Sequence, residues 1–568
     1  MQNILAFLTN LFSSSNQSLK ENLQIFTQKY GLKDPLLITC IAVGVFFAVP
    51  GFTWGKYDCL NLDRMAFRGF FSENRRPFEP SSYVKPPFYT YLNYFAAVQP
   101  AKFLRNIYFW GDKNEQGEVF LRLRTSFSRL INILFFALCT TSIFILARSF
   151  YSVFTARIAS LIFATSCGFI PYQIFLTTDL AVIFMMLASF LFAVKIISNP
   201  KMSYSVASGL LAGLACATKY NGLAVAAALP LAHLLAGRSG NLFIEAFKRK
   251  SAWICGLCVP LGFIIGNPYS IIDWPKFKSD FIYNYTVTPV YNGFSGGTGY
   301  TKFFQSFYEI FGIPGTWLIL VCCLMGIIWL LKNRNNTGAI CLWILAFAVF
   351  VFYAYKIGSF PRIETRFVIP AAPFAIILAF AGIEAFRNFK AFFTPVIVLI
   401  VAFNLLSGFY ISRLFSEDPR NIAIDFYKKY LRESFVMEYS ESLPKPEALK
   451  VKGKCMKMQM GLERVEKFRE MFKKDESMLS MLDKKENQVE AEWFSIDERK
   501  KRGTDFVIWS TIDLEGIIRK HYEALFDESN GYRKIYDASS PETPNWVYPK
   551  YTEFLRNRTT IWIENWKS

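Results

Sequence analysis

The sequence predicts an α-helical polytopic membrane protein that carries a small α/β domain at its C-terminal end. Three observations predict it. The chain is 52% hydrophobic and 17% aromatic with a mean hydropathy of +0.24, too apolar for a water-soluble protein of 568 residues. Long apolar runs fill the region from Asp34 to Ser412. From Arg413 onward the composition turns mixed and charge-rich, so two domains are expected, 1–412 and 413–568.

A helix needs about 20 apolar residues to cross a bilayer core, and eleven stretches are candidates: 35–53, 130–150, 153–172, 176–197, 204–221, 222–237, 251–268, 314–331, 338–355, 367–386 and 392–412. With the N-terminus inside, Arg148 with Arg157, Lys195 with Lys201, Arg238 with Lys248, Arg249 and Lys250, Lys332 with Arg334, and Arg387 with Lys390 fall in cytoplasmic turns. That is the positive-inside pattern. The other side receives the loop 53–129, the loop 267–313, the short loop 356–366 and the whole C-terminal domain. The first of these loops is also basic, but it exceeds the length over which charge controls orientation. Met1 to Lys33 is followed by no small-residue cleavage site, so the first span is expected to act as its own signal.

Within the first loop, Pro86 to Phe95 is aromatic and amphipathic, as suits a helix lying in the interface. The Gly-rich stretch Asn292 to Tyr300 reads as either a substrate lid or an inert linker. In the C-terminal domain a helical pattern runs through Ile422, Ile424, Phe426, Tyr427 and Tyr430, and a charged stretch from Leu462 to Lys485 reads as a solvated helix face. Asp505 to Trp509 is expected as a strand, Ile512 to Phe526 as a helix and Thr559 to Glu564 as a final strand.

Composition also excludes. A net charge of +19 suggests nucleic acid in a soluble protein, but in a polytopic one the basic residues collect in cytoplasmic loops and beside anionic headgroups. No nucleic-acid partner is expected. Of eleven Cys, Cys139, Cys167, Cys216, Cys255, Cys258, Cys322, Cys323 and Cys341 lie in apolar runs, where Cys behaves as a small hydrophobe. The only histidines, His233 and His521, leave no room for a His-based triad or a His-rich metal site. A catalytic base must therefore be a carboxylate.

Ionisable groups at the edge of a membrane span are costly, which makes each a functional candidate. Asp58 directly follows the first span, and Asp179 opens the fourth. Both fall on the extracytoplasmic side in this topology. Their plain structural readings are an interfacial loop carboxylate and a helix cap, respectively. Two carboxylates in one cleft would divide a base role from a positioning or metal role. Lys85, Lys219, Arg362 and Arg366 supply cations on the same side, suited to an anionic headgroup; snorkelling toward lipid is the alternative for Lys85 and Arg362. Asn267-Pro268-Tyr269 ends the seventh span, with Asp273-Trp274-Pro275 close behind, and marks an aromatic exit at the interface.

In this order the pieces resemble the GT-C type polytopic glycosyltransferases, the group that includes protein O-mannosyltransferases and the aminoarabinose transferases acting on lipid A. The resemblance spans most of the chain. It rests on Asp58, on Lys85-Pro86-Pro87-Phe88-Tyr89, on Asp179, on Gly209-Leu210-Leu211-Ala212-Gly213-Leu214 leading to Thr218-Lys219-Tyr220, on Asn267-Pro268-Tyr269 with Asp273, and on Arg366-Phe367-Val368-Ile369-Pro370 with Pro373-Phe374. Many relatives carry Asp-Glu at the first motif, whereas here Cys59 follows Asp58 and Asp63 is the next acid. The base is thus Asp58 or Asp63, with Asp58 preferred for its family-like distance from the first span and from Lys85.

The resemblance implies transfer of a sugar from an undecaprenyl or dolichyl phosphate carrier to a hydroxyl or amine of a protein, lipid or glycan acceptor at the outer face. It implies a multi-pass protein of a bacterial or archaeal cytoplasmic membrane, or of the endoplasmic reticulum. In it Asp58 takes the acceptor proton, and Lys219 and Arg366, with Lys85, Tyr220 and Arg362, hold the phosphate. Tyr89, Asn267, Tyr269 and Asp273 contact substrate. Asp179 positions the acceptor or, with Asp58, holds a divalent metal ion, the one cofactor considered. One base and a direct displacement give inversion, whereas a carboxylate nucleophile would give retention; inversion is expected. The competing readings are a transporter or flippase, disfavoured because no internal repeat is visible and the charges sit near one face, and a membrane scaffold.

Overall fold

The computed structural model describes residues 31–54, 76, 78–80, 82–108, 113–236, 246, 248–286, 299–361, 363–429, 435–440, 443, 454–457, 496–510, 532–544, 546–547 and 558–564. The first helix, α1 (Pro35–Phe46), starts where Asp34 Oδ1 accepts the Leu36 N–H at 3.0 Å and Pro35 fills a position that needs no donor. A 3-10 turn, Pro50–Thr53, ends this pass. Next come α2 (Phe88–Asn93), a π turn at Tyr94–Val98 and α3 (Gln99–Tyr108), which together occupy the expected interfacial segment. The long α4 (Lys113–Phe150), α5 (Val153–Thr165), α6 (Ile170–Ile174), α7 (Asp179–Ser198) and α8 (Met202–Thr218) follow. After a 3-10 stretch, Tyr220–Ala227, come α9 (Ala228–Leu235), α10 (Lys250–Gly266), α11 (Tyr269–Ile272) and α12 (Trp274–Thr286). The helical part ends with α13 (Tyr300–Lys332), α14 (Thr337–Gly358), α15 (Thr365–Val368), α16 (Ala372–Ala385), α17 (Lys390–Ser416) and α18 (Asn421–Lys429).

Each of the eleven expected stretches coincides with helix, but fewer are long and apolar enough to cross a membrane unaided. Among the described residues five qualify: Val119–Phe150, Asp179–Ser198, Tyr300–Lys332, Thr337–Gly358 and the 65-residue run Thr365–Lys429; the pair Val153–Thr165 and Cys167–Ile174, bent by 52°, makes a sixth. The others are shorter apolar helices, Pro35–Phe46, Met202–Thr218, Tyr220–Leu235 and Lys250–Gly266. Lys219 is extended (φ −156°, ψ 128°) and ends α8 before the 3-10 stretch, whereas the 3-10 turn Phe386–Phe389 divides the 65-residue run into α16 and α17, where the two stretches 367–386 and 392–412 were expected. The protein is a multi-pass helical membrane protein, and side chains such as Leu257, Phe392 and Leu399 face outward where lipid would solvate them.

Close backbone approach holds the bundle where the site will lie. A Cβ on Gly209 would come within 2.3 Å of the Cys255 carbonyl, and one on Gly213 within 2.1 Å of the Val259 carbonyl, so these glycines let α8 and α10 touch backbone to backbone. Polar contacts sort into two ends. At one end Arg157 Nη2 meets Asp34 at 2.9 Å, and Glu384 accepts the Ser152 N–H and hydroxyl at 3.0 and 2.6 Å, reinforcing the cap of α5. The opposite end holds Trp54, Arg129, Asp179, Lys219 and Arg366.

There the buried Arg129 donates to the carbonyls of Ile174 (2.9 Å), Phe52 and Trp54. The Trp54 indole donates to Asp418 Oδ2 at 2.9 Å; Asp418 pairs with the equally buried Arg420 at 2.5 Å, and the Arg420 guanidinium lies 5.9 Å from the indole ring. The exit of the first pass is thereby tied to the start of the C-terminal region. A second tie is Trp546, whose ring lies 5.0 Å from Phe403 on α17.

The C-terminal region forms a five-stranded mixed sheet in the order β2-β1-β3-β5-β4, from β1 (Val436–Tyr439), β2 (Lys454–Lys457), β3 (Phe506–Ser510), β4 (Tyr532–Ser539) and β5 (Arg558–Glu564). The strands at β1, β2 and β3 run parallel, while β5 pairs antiparallel with β3 and β4. The two strands expected from sequence match β3 and β5 within one residue. Phe426 and Tyr427 of α18 pack on Met437, Phe506 and Ile508. A further helix, α19 (Ile496–Arg502), supplies Arg499 and Arg502, each 2.9 Å from the buried Glu438. The helices expected at 462–485 and 512–526 and the Gly-rich stretch up to residue 298 lie outside the described residues.

Candidate active site

The site is organised by the break after α8. Lys219 is carried on an extended residue at the helix end, where its side chain is free to leave the helix axis, and its Nζ lies 2.7 Å from Asp179 Oδ1. Asp179 is the first helical residue of α7 rather than its cap, and the preceding Thr178 makes no side-chain cap bond. Its carboxylate is buried and placed at the positive end of the helix dipole. Lys219 Nζ also donates to the Arg366 carbonyl at 3.0 Å, which brings α15 to the pair.

Helix α15 is a single turn held at three points. The Arg366 carbonyl takes Lys219, the Phe367 carbonyl takes Tyr353 Oη from α14 at 2.7 Å, and the Thr365 hydroxyl donates to Glu309 Oε2 on α13. The Phe367 ring lies 5.8 Å from the Lys219 ammonium and 5.2 Å from the Arg366 guanidinium, in the range for cation–π attraction. Arg366 Nε meets Glu364 at 2.5 Å, and both side chains are about one-third exposed (31% and 29%). Tyr172 of α6 lies within electrostatic reach of Asp179, Arg366, Glu309 and Glu364. Two basic and three acidic side chains from α7, the α8 end, α13 and the α15 turn therefore share one end of the bundle.

Beside this cluster, Tyr89 of α2 is buried and donates its hydroxyl to Asn132, whose amide nitrogen donates to the Phe175 carbonyl at 2.6 Å. Burial, with the Asp179 charge adding to it, pushes the Tyr89 phenol well above its ordinary range, so it is a donor at all physiological pH. Tyr220 points away from the cations: its hydroxyl donates to the Tyr83 carbonyl at 2.6 Å, within an aromatic group that includes Phe277 and Tyr269. Asn267 is buried as the C-cap of α10, and neither atom of its amide has a hydrogen-bond partner among the described residues. Asp273 ends α11, with its backbone carbonyl starting α12. Lys85 is exposed in the loop before α2.

The structure thus brings together Asp179, Lys219 and Arg366, sets Tyr89 in a separate hydrogen-bonded chain with Asn132, and places Tyr220 and Tyr269 in an adjoining aromatic wall. Asp58, Asp63 and Arg362 lie outside the described residues. Among those residues no group of three or more His, Cys, Asp and Glu side chains is arranged to hold a metal ion; Asp179 is instead engaged with Lys219. Sequence reasoning missed Arg129, Glu309, Glu364 and Tyr353. Arg129 stands at the edge of an apolar run, which is a usable signal; Glu309 and Glu364 lie in stretches read as loops, where no pattern distinguishes them.

Residues 121–265, from α4 to α10 and including both Asp179 and Lys219, match the family described as dolichyl-phosphate-mannose-protein mannosyltransferase. The fold is that of ArnT from Cupriavidus metallidurans bound to undecaprenyl phosphate, at 14% identity and a TM-score of 0.50 over 92% of this chain and 97% of that one. The chain is thus similar to that mannosyltransferase family over about a quarter of its length, and it has the ArnT fold. It is also similar to the archaeal oligosaccharyltransferase AglB from Archaeoglobus fulgidus in complex with an inhibitory peptide and a dolichol-phosphate, at 14% identity and a TM-score of 0.41, over 90% of this chain and 75% of that one. No curated protein sequence matches it significantly.

Proposed function

We propose that this protein is a GT-C glycosyltransferase that moves a sugar from a polyprenyl phosphate to a hydroxyl or amine acceptor at the extracytoplasmic face, with inversion at the anomeric carbon. The observation that carries the reading is the convergence of Lys219 and Arg366 on one turn, backed by the buried Asp179. In sugar transfer the bond from the anomeric carbon to the phosphate oxygen breaks, the acceptor oxygen or nitrogen bonds to that carbon, and the acceptor proton goes to a base. Negative charge grows on the departing phosphate, so fixed cations aimed there lower the barrier. Lys219 and Arg366 fill that role, with Lys85 as a further cation, and Asp179 orients the Lys219 ammonium.

Asp58 is assigned the base, four residues past the Trp54 anchor, with Asp63 the second candidate. Asn267, whose buried amide lacks a partner among the described residues, suits a sugar hydroxyl, alongside Tyr269 and Asp273; Tyr220 serves by holding the Tyr83 loop rather than by touching phosphate. Residues 1–412 form the catalytic membrane domain of eleven passes and 413–568 the extracytoplasmic domain.

The test is turnover of a panel of polyprenyl-phosphate sugars by the purified protein in nanodiscs, with the anomeric configuration of the product read by NMR. Loss of turnover in Asp58→Asn with the fold retained supports the base. Turnover in that variant moves the base to Asp63, and a retained anomeric configuration would refute direct displacement.

A further inference from the structure

Resting on the phosphate assignment of Lys219 and Arg366, we propose that Glu309 is a positioning residue that fixes the one-turn helix α15, and through it the two cations, by accepting the Thr365 hydroxyl. Four observations support it. Thr365 is itself buried, so its hydroxyl must find a partner inside the protein, and that partner is the Glu309 carboxylate. A helix of four residues has too few internal bonds to hold its own position, so its location is set by what grips it from outside.

Glu309 is in turn immobilised from behind. A Cβ added to Gly168 would stand 2.5 Å from Ile310 Cα and 3.1 Å from the Glu309 carbonyl, so α13 is pressed onto the 167–169 turn at this residue, and Cys167 Sγ donates to the same carbonyl at 3.9 Å. Three residues on, Gly312 adopts φ +71°, ψ 162° and Pro314 follows, so α13 breaks there and the segment bearing Glu309 has a direction independent of the rest of the helix. The carboxylate therefore belongs to a rigid support, while the α15 turn is what it supports. Loss of the Thr365 contact would leave the described hydrogen bonds to α15 from other helices at its Arg366 and Phe367 carbonyls. Lys219, one of the two donors to them, would then move with the turn it is meant to be fixed against.

The experiment measures binding of undecaprenyl phosphate, and of the phosphate-free undecaprenol, to the full-length protein in detergent. Thr365→Val and Glu309→Ala are each expected to weaken undecaprenyl phosphate about tenfold, the effect of one hydrogen bond to a charged group. The double variant should be no worse than either single one, because one contact is lost in all three. Thr365→Ser should bind within about twofold of the parent, and undecaprenol should bind all variants alike. Glu309→Gln, closest in shape, should show the same phosphate-selective loss at about threefold and serves where the alanine variant fails to fold. Unchanged phosphate binding in Thr365→Val, additive losses in the double variant, or equal losses for undecaprenol would each overturn the proposal. Lys219→Met measured alongside separates the two claims. If it binds normally while Thr365→Val does not, the phosphate assignment fails and the α15 support stands; the reverse result removes the support and keeps the assignment.

Discussion

Replacing Lys219 by Met separates what the Lys219–Asp179 pair does for the fold from what it does for the reaction. The Asp179 side chain is 4% exposed and that of Lys219 18%, with 2.7 Å between them. Removing one partner of a fully buried pair typically costs about 3–5 kcal/mol, because the other charge is left without compensation. The Lys219 ammonium keeps some access to solvent, so the lower end, about 3 kcal/mol, is expected from reversible unfolding in mixed micelles. Adding Asp179→Asn to the same chain removes the stranded charge and should restore most of that stability. Turnover should behave otherwise. A fixed donor aimed at a departing oxyanion is worth about 10²–10³ in rate, and the double variant still lacks it, so turnover should stay low while the fold recovers. If Lys219→Met/Asp179→Asn regained turnover together with stability, Lys219 would be a counter-ion for Asp179 and no more. If the single variant kept both, the pair would not be what positions this site.

Three other outcomes are expected. Arg366→Lys should bind undecaprenyl phosphate more weakly than the parent, by about 1 kcal/mol, because a point charge replaces a two-pronged donor that also lies over the Phe367 ring; equal affinities would show that the guanidinium shape is not used. Tyr89→Phe should lower stability by about 1–3 kcal/mol through the Asn132 oxygen left buried without its donor, as read by chemical denaturation, and an unchanged midpoint would refute that contact. Gly312→Ala should be destabilised by at least about 2 kcal/mol, since the new Cβ would meet Phe403 at 2.9 Å and Asn404 at 3.0 Å on a backbone that only glycine adopts readily. A neutral result in the same assay would mean that α13 straightens at no cost.

Much of this architecture is legible in the sequence, for definite reasons. Apolar runs are local signals, and each of the eleven expected stretches coincides with helix. The parallel placement of Asp179 and Lys219 on one side of the membrane also follows from counting passes, although their 2.7 Å contact does not. The break at Lys219 has no local signal: what accompanies it, the close approach of α8 to α10 at Gly209 and Gly213 and the Lys219–Asp179 pair, joins elements far apart in sequence. Nothing local says that the Tyr220 hydroxyl will find the Tyr83 carbonyl, 137 positions earlier. Glu309 and Thr365 carry no pattern at all, being one acid and one hydroxyl in segments that read as loop or span edge; only the kink at Gly312 gives the acid its direction.

The anchor at Trp54 also bears on the order in which the protein is made. Its indole partner, Asp418, lies 364 positions downstream, and the salt link with Arg420 that completes the arrangement comes two residues later still. While the ribosome is producing the intervening helices, the exit of the first pass has neither its acceptor nor its cation. Arg129 can hold the Trp54 backbone early, but its indole gains an acceptor only after nearly three-quarters of the chain has been made, from the segment on which the C-terminal sheet is then built. The packing of the first pass is in this way completed only when translation reaches the last domain.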